Sequence, residues 1–319
     1  MRDRHFEMLE TNGVTLRTVV EGEGPLVILL HGWPQCWYLW RNQIDPLVAA
    51  GFRVAVPDQR GYGGSECPPG IEDYNILKLA GDVVGLADAL GEERFFLVGH
   101  DWGCIVAWHT ALLYPHRLHC VTGLSVPYVR AKGDAWVNPP GRADAFWYIR
   151  YFQNPGVAEA EFEADIRKSL ATMYYYGSAD ARGVSLPAKP RDARFFDGYP
   201  PVPGLPKGLT EDDLDYYVEQ FSTSGFRGGF NWYRNFATIA PLTPWLDEAR
   251  IQVPAHFIAG EKDGVLQFIP NFMEAQKRWF ADLRGATLIP DAGHWVQQEQ
   301  PEATTKAILE FLATIQGAG

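Results

Sequence analysis

The chain has 319 residues, 46% of them hydrophobic and 21% charged, a composition that excludes a disordered, collagen-like or coiled-coil protein and leaves room for a large buried core. Asp and Glu outnumber Lys and Arg by 39 to 28, and the formal net charge of −11 would repel a phosphate backbone or an anionic membrane surface, which argues against nucleic acid or membrane as a partner. Near the N-terminus the longest strongly apolar run is Pro25 to Leu30, far short of the ~20 residues of a membrane span. Met1 to Glu10 is followed by no apolar h-region, so a cytoplasmic protein is expected. Cys36, Cys67, Cys104 and Cys120 form neither a CxxC pair nor a zinc spacing; they are expected to be free thiols, and no metal site is expected.

In chain order, the short apolar runs Leu26–Leu30 (LVILL), Phe52–Val56 (FRVAV), Phe95–Val98 (FFLV), Val121–Val126 and Ala255–Ile258 end in turn residues, as strands buried on both faces do. Ile76, Leu77, Ala80, Val83, Val84, Ala87 and Leu90 follow the spacing of one helix face, closed by Gly91, and Cys104 to Leu113 reads as another helix. This alternation predicts an α/β protein with a mostly parallel, doubly wound sheet. The rhythm fails over residues 131–244, a proline-broken stretch that holds 21 of the 43 aromatic residues and reads as an inserted, mainly helical lid, its aromatics suited either to roofing an apolar pocket or to forming the lid's own core. Alternation then resumes and ends in an amphipathic helix through Ala303, Ala307, Ile308, Phe311 and Leu312. The core is therefore expected to be discontinuous, from residues 1–130 and 245–319.

Gly99-His-Asp-Trp-Gly103 follows a strand and opens a helix, the setting of a strained elbow that presents its central residue at the carboxyl ends of the strands. That residue is Asp101. A carboxylate is ionised at neutral pH and needs no base to become a nucleophile, so it can attack a saturated, electrophilic carbon and form an alkyl ester. Hydrolysis of the ester then requires a base, an acid to orient it, and N–H donors for an oxyanion. His294, in Asp291-Ala-Gly-His-Trp295, is the expected base. Asp263, in Gly260-Glu-Lys-Asp-Gly264, is the expected orienting acid, with Glu261 two residues away as its competitor. The turn His31-Gly-Trp-Pro34 is expected to supply the Trp33 N–H and the elbow the Trp102 N–H as oxyanion donors. Asp58 to Ser65 (DQRGYGGS) reads as a structural bend braced by a charged pair.

Taken together, HGWP, DQRGYGGS, GHDWG, GEKD and AGHW resemble the motifs of the soluble epoxide hydrolases of the α/β-hydrolase superfamily, in the same order and through most of the chain. The resemblance implies the α/β-hydrolase fold and no cofactor, with a small apolar epoxide and water as reactants; a monomer or homodimer is expected. It also implies two lid tyrosines that donate to the epoxide oxygen. Tyr151, in YFQNPGVAEAE, and Tyr233, in NWYRN, look like that pair, with Tyr148 or the cluster Tyr174, Tyr175 and Tyr176 as alternatives. By the same likeness His31, Pro34, Trp102, Trp232 and Trp295 are expected around the substrate. GHDWG is shared with haloalkane dehalogenases, so that reading stays open, as does, more remotely, a non-catalytic ligand receptor on the same fold.

Overall fold

A computed structural model describes residues 4–130, 134–184, 186–269 and 271–317. Among these residues one sheet has eight strands: β1 (Phe6–Thr11), β2 (Val14–Glu21), β3 (Leu26–Leu30), β4 (Arg53–Pro57), β5 (Phe95–His100), β6 (Leu118–Leu124), β7 (Ala255–Gly260) and β8 (Leu283–Ile289). Their spatial order is β1-β2-β4-β3-β5-β6-β7-β8, and every neighbouring pair from β4 onward is parallel. All of β3 and β5 is buried, which is why these strands read as continuous apolar runs rather than as alternating ones.

The sequence reading did not anticipate β1 and β2, an antiparallel hairpin at the sheet's edge. Its two-residue turn is Asn12-Gly13, both with positive φ (37° and 78°), the conformation that makes Asn-Gly a strong hairpin signal. Strand β6 also differs from its expected span. It starts at Leu118, and the chain turns away at Ser125, whose φ is 69°.

The helices of the sheet are α1 (Arg41–Ala49), α2 (Ile76–Ala89) and α3 (Trp102–Leu113), with α10 (Phe272–Lys277), α11 (Val296–Glu299) and α12 (Pro301–Gln316) after the lid. Of these, α2 packs on α3, and α1 packs on α11 and α12. Helix α2 begins where Asn75 Oδ1 accepts from the N–H groups of Leu77 and Lys78, both at 3.1 Å, and stops at Gly91 with φ 78°. Between β6 and β7 lie α4 (Tyr148–Tyr151), α5 (Val157–Glu163), α6 (Ile166–Gly177), α7 (Glu211–Ser224), α8 (Arg227–Arg234) and α9 (Ile239–Leu242). These helices share an aromatic core around Phe152, Phe162 and Phe230.

Hydrogen bonds tie this helical segment to the sheet side of the molecule. Trp232 Nε1 donates to Arg60 O at 3.1 Å, Tyr38 Oη to Asp213 at 2.8 Å and Tyr174 Oη to Pro34 O at 2.7 Å. Asp58 accepts from Arg17 Nε at 2.7 Å, from Trp37 N–H at 3.0 Å and from Gly64 N–H at 3.1 Å, while Arg60 grips Asp82 through two bonds. The bend is braced by charged pairs, and each of its two charges finds its partner outside the bend. No helix among the described residues is long and apolar enough to cross a membrane. The four cysteines are free.

Candidate active site

Asp101 joins β5 to α3 with φ 53° and ψ −117°, a region that non-glycine residues rarely occupy and that only a tightly packed surround can hold. The surround depends on two glycines. A Cβ on Gly99 would overlap the Gly103 carbonyl, and one on Gly103 would overlap the carbonyls of Leu30 and His31. Strand and helix therefore approach closely enough to force the turn, and Asp101 is lifted out at the carboxyl end of the sheet.

The other two polar residues come from neighbouring strand ends. Asp263 lies just after β7; its Oδ1 accepts from Val265 N–H at 2.9 Å, and its two oxygens lie 3.1 and 3.2 Å from His294 Nδ1. The ring's other nitrogen, Nε2, is 3.5 Å from Asp101 Oδ2. Glu261 is exposed whereas Asp263 is buried, so the histidine partner is Asp263. Burial works against a charged imidazole, but Asp263 and Asp101 outweigh it and push the His294 pKa up to about 10. Burial likewise disfavours the Asp101 carboxylate, yet His294 and the Trp33 N–H hold it below the usual carboxylate range. The resting pair is thus a carboxylate beside an imidazolium.

Trp33 N–H donates to Asp101 Oδ1 at 2.8 Å. Trp102 opens α3, so its N–H is one of those a helix leaves without an internal acceptor. Of the two backbone donors expected from the sequence, the Trp33 N–H is thus on Asp101, and the Trp102 N–H belongs to the first residue of α3.

The histidine loop rests on residues that sequence reasoning did not single out. His294 N–H donates to Gly177 O of α6 at 2.8 Å, and its carbonyl accepts from His100 Nε2 at 2.8 Å and Ser125 Oγ at 3.2 Å. Burial, chiefly, lowers the His100 pKa to about 3, leaving it a neutral brace. Glu299 accepts from the N–H groups of Ala179 (2.8 Å), Gly293 (2.9 Å) and Trp295 (3.0 Å). His100 lies inside the GHDWG motif, but nothing in the sequence ties it to His294, and Glu299 carries no motif at all.

A cavity opens over Asp101, walled by Trp102, Ile105 and His109 of α3, by Val126–Arg130 after β6, by Val265 and Phe268 after β7, and by Trp136, Trp147, Tyr148, Tyr233 and Phe236 of the helical segment. Tyr233 belongs to this wall, its ring packed edge-on against Trp102 at 5.2 Å and against Tyr148 at 5.9 Å. Tyr151 does not. Its hydroxyl donates to Glu161 at 2.5 Å, and its ring lines a separate cleft with Asn154 and Arg191. Tyr148, three residues earlier on α4, lines the cavity that holds Asp101. Burial, then the Asp101 charge, raises the pKa of both Tyr148 and Tyr233 above the usual phenol value, so both are protonated donors at neutral pH.

Other expectations are corrected in the same way. Tyr174 is buried with its hydroxyl on Pro34 O, Tyr176 bonds to Pro200 O, and Tyr175 stacks edge-on with Tyr176; none of the three lines the cavity. Of the expected substrate neighbours only Trp102 does. His31 is consumed by the backbone, with Nδ1 on Gly32 O and Nε2 accepting from Gln59 N–H, each at 3.0 Å. Pro34 accepts from Tyr174. Trp232 and Trp295 are buried, their indole N–H groups on Arg60 O and Tyr174 O.

An Asp–His–Asp arrangement on strand ends of a mostly parallel sheet defines a hydrolase of the α/β fold, and the α/β hydrolase fold family matches residues 25–301. The chain belongs to that family and, within it, to the epoxide hydrolases. It is 42% identical to epoxide hydrolase A of Mycobacterium tuberculosis over 97% of each chain. The crystal structure of epoxide hydrolase A from Mycobacterium thermoresistibile superposes with a TM-score of 0.90 at 43% identity, covering 98% of both chains. An epoxide hydrolase from an endophytic Streptomyces gives a TM-score of 0.92 at 35% identity, covering 99% of this chain and 97% of the other.

Proposed function

We propose that the protein hydrolyses an apolar epoxide to a vicinal diol in two covalent steps, without a cofactor. Asp101 attacks a ring carbon; the carbon–oxygen bond breaks, and the departing alkoxide takes a proton from Tyr148 or Tyr233. The His294 imidazolium returns a proton to that tyrosinate, and the neutral ring, oriented by Asp263, then draws a proton from water, whose oxygen adds to the carbonyl carbon of the Asp101 ester. The oxyanion rests on the N–H groups of Trp33 and Trp102; as it collapses the ester carbon–oxygen bond breaks, the departing oxygen takes the proton held by His294, and the Asp101 carboxyl gives its own proton back to the ring, which releases the diol and restores the carboxylate beside the imidazolium.

The observation that carries this reading is the placement of two neutral phenols over a paired carboxylate nucleophile. An alkoxide leaves only when protonated or strongly hydrogen-bonded, and phenols supply that proton at neutral pH. Formation of the ester removes the negative charge of Asp101. The His294 pKa then falls, and the ring becomes able to act as a base in the second step only. Residues 131–244 serve as the lid that brings the phenols to the sheet. The location is the cytoplasm, and the protein works as a monomer or homodimer.

A haloalkane dehalogenase is the second reading, favoured by the Trp102 indole, which lines the cavity next to Asp101. One assay separates the two. Purified protein given an aryl epoxide and, separately, a short haloalkane is expected to form diol from the first and to release no halide from the second; halide release without diol would reverse the assignment.

A further inference from the structure

Helix α3 runs along the cavity wall. Trp102, Ile105 and His109 all line it, the i, i+3, i+7 spacing of one helix face. Eight residues separate Asp101 from His109, which at ~1.5 Å per residue puts the second about 12 Å along the helix from the nucleophile. There the lining changes character. The walls near Asp101 are mostly aromatic and aliphatic, but this end holds His109, Tyr128 and Arg130.

Tyr128 is 3% exposed, and its buried hydroxyl, with the Arg130 guanidinium beside it, has no acceptor for its own proton within the protein, a state that costs stability unless something accepts it. Its ring stands edge-on to His109 at 5.7 Å. His109 Nδ1 lies 2.7 Å from Ile105 O, which can only accept, so Nδ1 carries the proton. Burial lowers the His109 pKa to about 4, so the ring is neutral and Nε2 is an acceptor. Arg130 offers no free cation: Asp247 takes its Nε and Nη2 at 3.1 and 2.9 Å, and Thr243 its Nη1 and Nη2 at 2.8 and 2.6 Å.

We infer that this end of the cavity is a subsite for a neutral hydroxyl group carried by the substrate, which accepts from Tyr128 Oη and donates to His109 Nε2 while the epoxide lies against Asp101. A single hydroxyl satisfies one donor and one acceptor together; a carboxylate would have to face His109 Nε2 with a lone pair against a lone pair, beside an arginine already neutralised by Asp247. The inference rests on the epoxide hydrolase reading and extends it to the substrate: an epoxide whose chain ends in an alcohol about eight to ten carbons away.

The test compares kcat/KM for 9,10-epoxydecan-1-ol, 1,2-epoxydecane and 9,10-epoxydecanoate at neutral pH, in wild type, Tyr128→Phe and His109→Leu. The wild type is expected to favour the hydroxy-epoxide over 1,2-epoxydecane by about tenfold and to show no such preference for the carboxylate. In Tyr128→Phe the ratio of hydroxy-epoxide to alkyl epoxide falls to near one, and His109→Leu lowers it independently, so loss of one variant to misfolding leaves the other to decide. A wild-type ratio near one, an unchanged ratio in both variants, or a preference for the carboxylate would overturn the subsite. Diol formation from 1,2-epoxydecane with a ratio near one would overturn the subsite alone; no diol from any of the three would overturn the epoxide hydrolase reading and the subsite with it.

Discussion

The sheet side and the lid side of the active site were encoded in different ways. On the sheet side Asp101, Asp263 and His294 sit on turns that immediately follow or flank strands, and the backbone fixes each of them. Asp101 is held by a strained φ and by glycine contacts, Asp263 by its bond to Val265 N–H, and His294 by backbone bonds to Gly177, His100 and Ser125. On the lid side the phenols stand on short helices whose rotation depends on distant packing. Tyr148 and Tyr151 are one turn apart on a four-residue helix, offset by about 60° around its axis, and that offset puts one side chain in the wall of the Asp101 cavity and the other on Glu161. Motif turns specify a residue's role; a lid helix specifies only a set of candidates.

Substitutions sharpen this contrast. Asp101→Ala is expected to remove diol formation by at least about 10⁴-fold, because no other carboxylate or thiol lines the cavity among the described residues; turnover near wild type would move the chemistry elsewhere. His294→Gln should open the epoxide once and then stall, with ester hydrolysis slowed about 10² to 10⁴-fold in single-turnover measurements. On the lid, Tyr148→Phe and Tyr233→Phe should each slow ring opening by about ten- to a hundredfold, while Tyr151→Phe stays within about twofold. The reverse ranking of Tyr148 and Tyr151 would mean that the lid sits differently over the sheet during catalysis.

The smallest effect expected is a shift in titration. The His294 pKa is raised above the ordinary histidine value, so its pairing with Asp101 and Asp263 stabilises the fold fully below about pH 6.5 and is lost as pH rises through about 10; the lowered Asp101 pKa adds stability that is lost as pH falls below about 4. Asp101→Asn copies the neutral ester and should lower the His294 pKa by about one unit or more, measurable by NMR of the ring protons. The same logic predicts that turnover declines as pH falls through the His294 pKa of the ester form, not that of the resting enzyme. An unshifted pKa in Asp101→Asn would leave the switch between the two steps without a cause.

Much of this was legible in the sequence, and the exceptions have physical reasons. Buried parallel strands leave unbroken apolar runs, so β3 and β5 were readable, and the Gly-x-Asp-x-Gly spacing reflects a steric requirement that the Gly99 and Gly103 contacts make explicit. The β1–β2 hairpin shows in the sequence only through its turn, Asn12-Gly13, because the edge strand β1 is half exposed and lacks an apolar run. Substrate neighbours were the poorest part. His31, Pro34, Trp232 and Trp295 lie close to the catalytic residues along the chain or in the fold, yet each spends its polar group on the protein itself. Proximity in a motif says nothing of which way a side chain points. Glu299 and His100 were invisible for a related reason: they act on backbone groups of loops remote in sequence.

The most direct measurement is the intact mass of the His294→Gln variant after brief exposure to an aryl epoxide, followed by peptide mapping. The account predicts a gain equal to the whole epoxide on the peptide containing Asp101, persisting because no base remains to hydrolyse the ester. No adduct, or an adduct on any other residue, would contradict the covalent mechanism at Asp101.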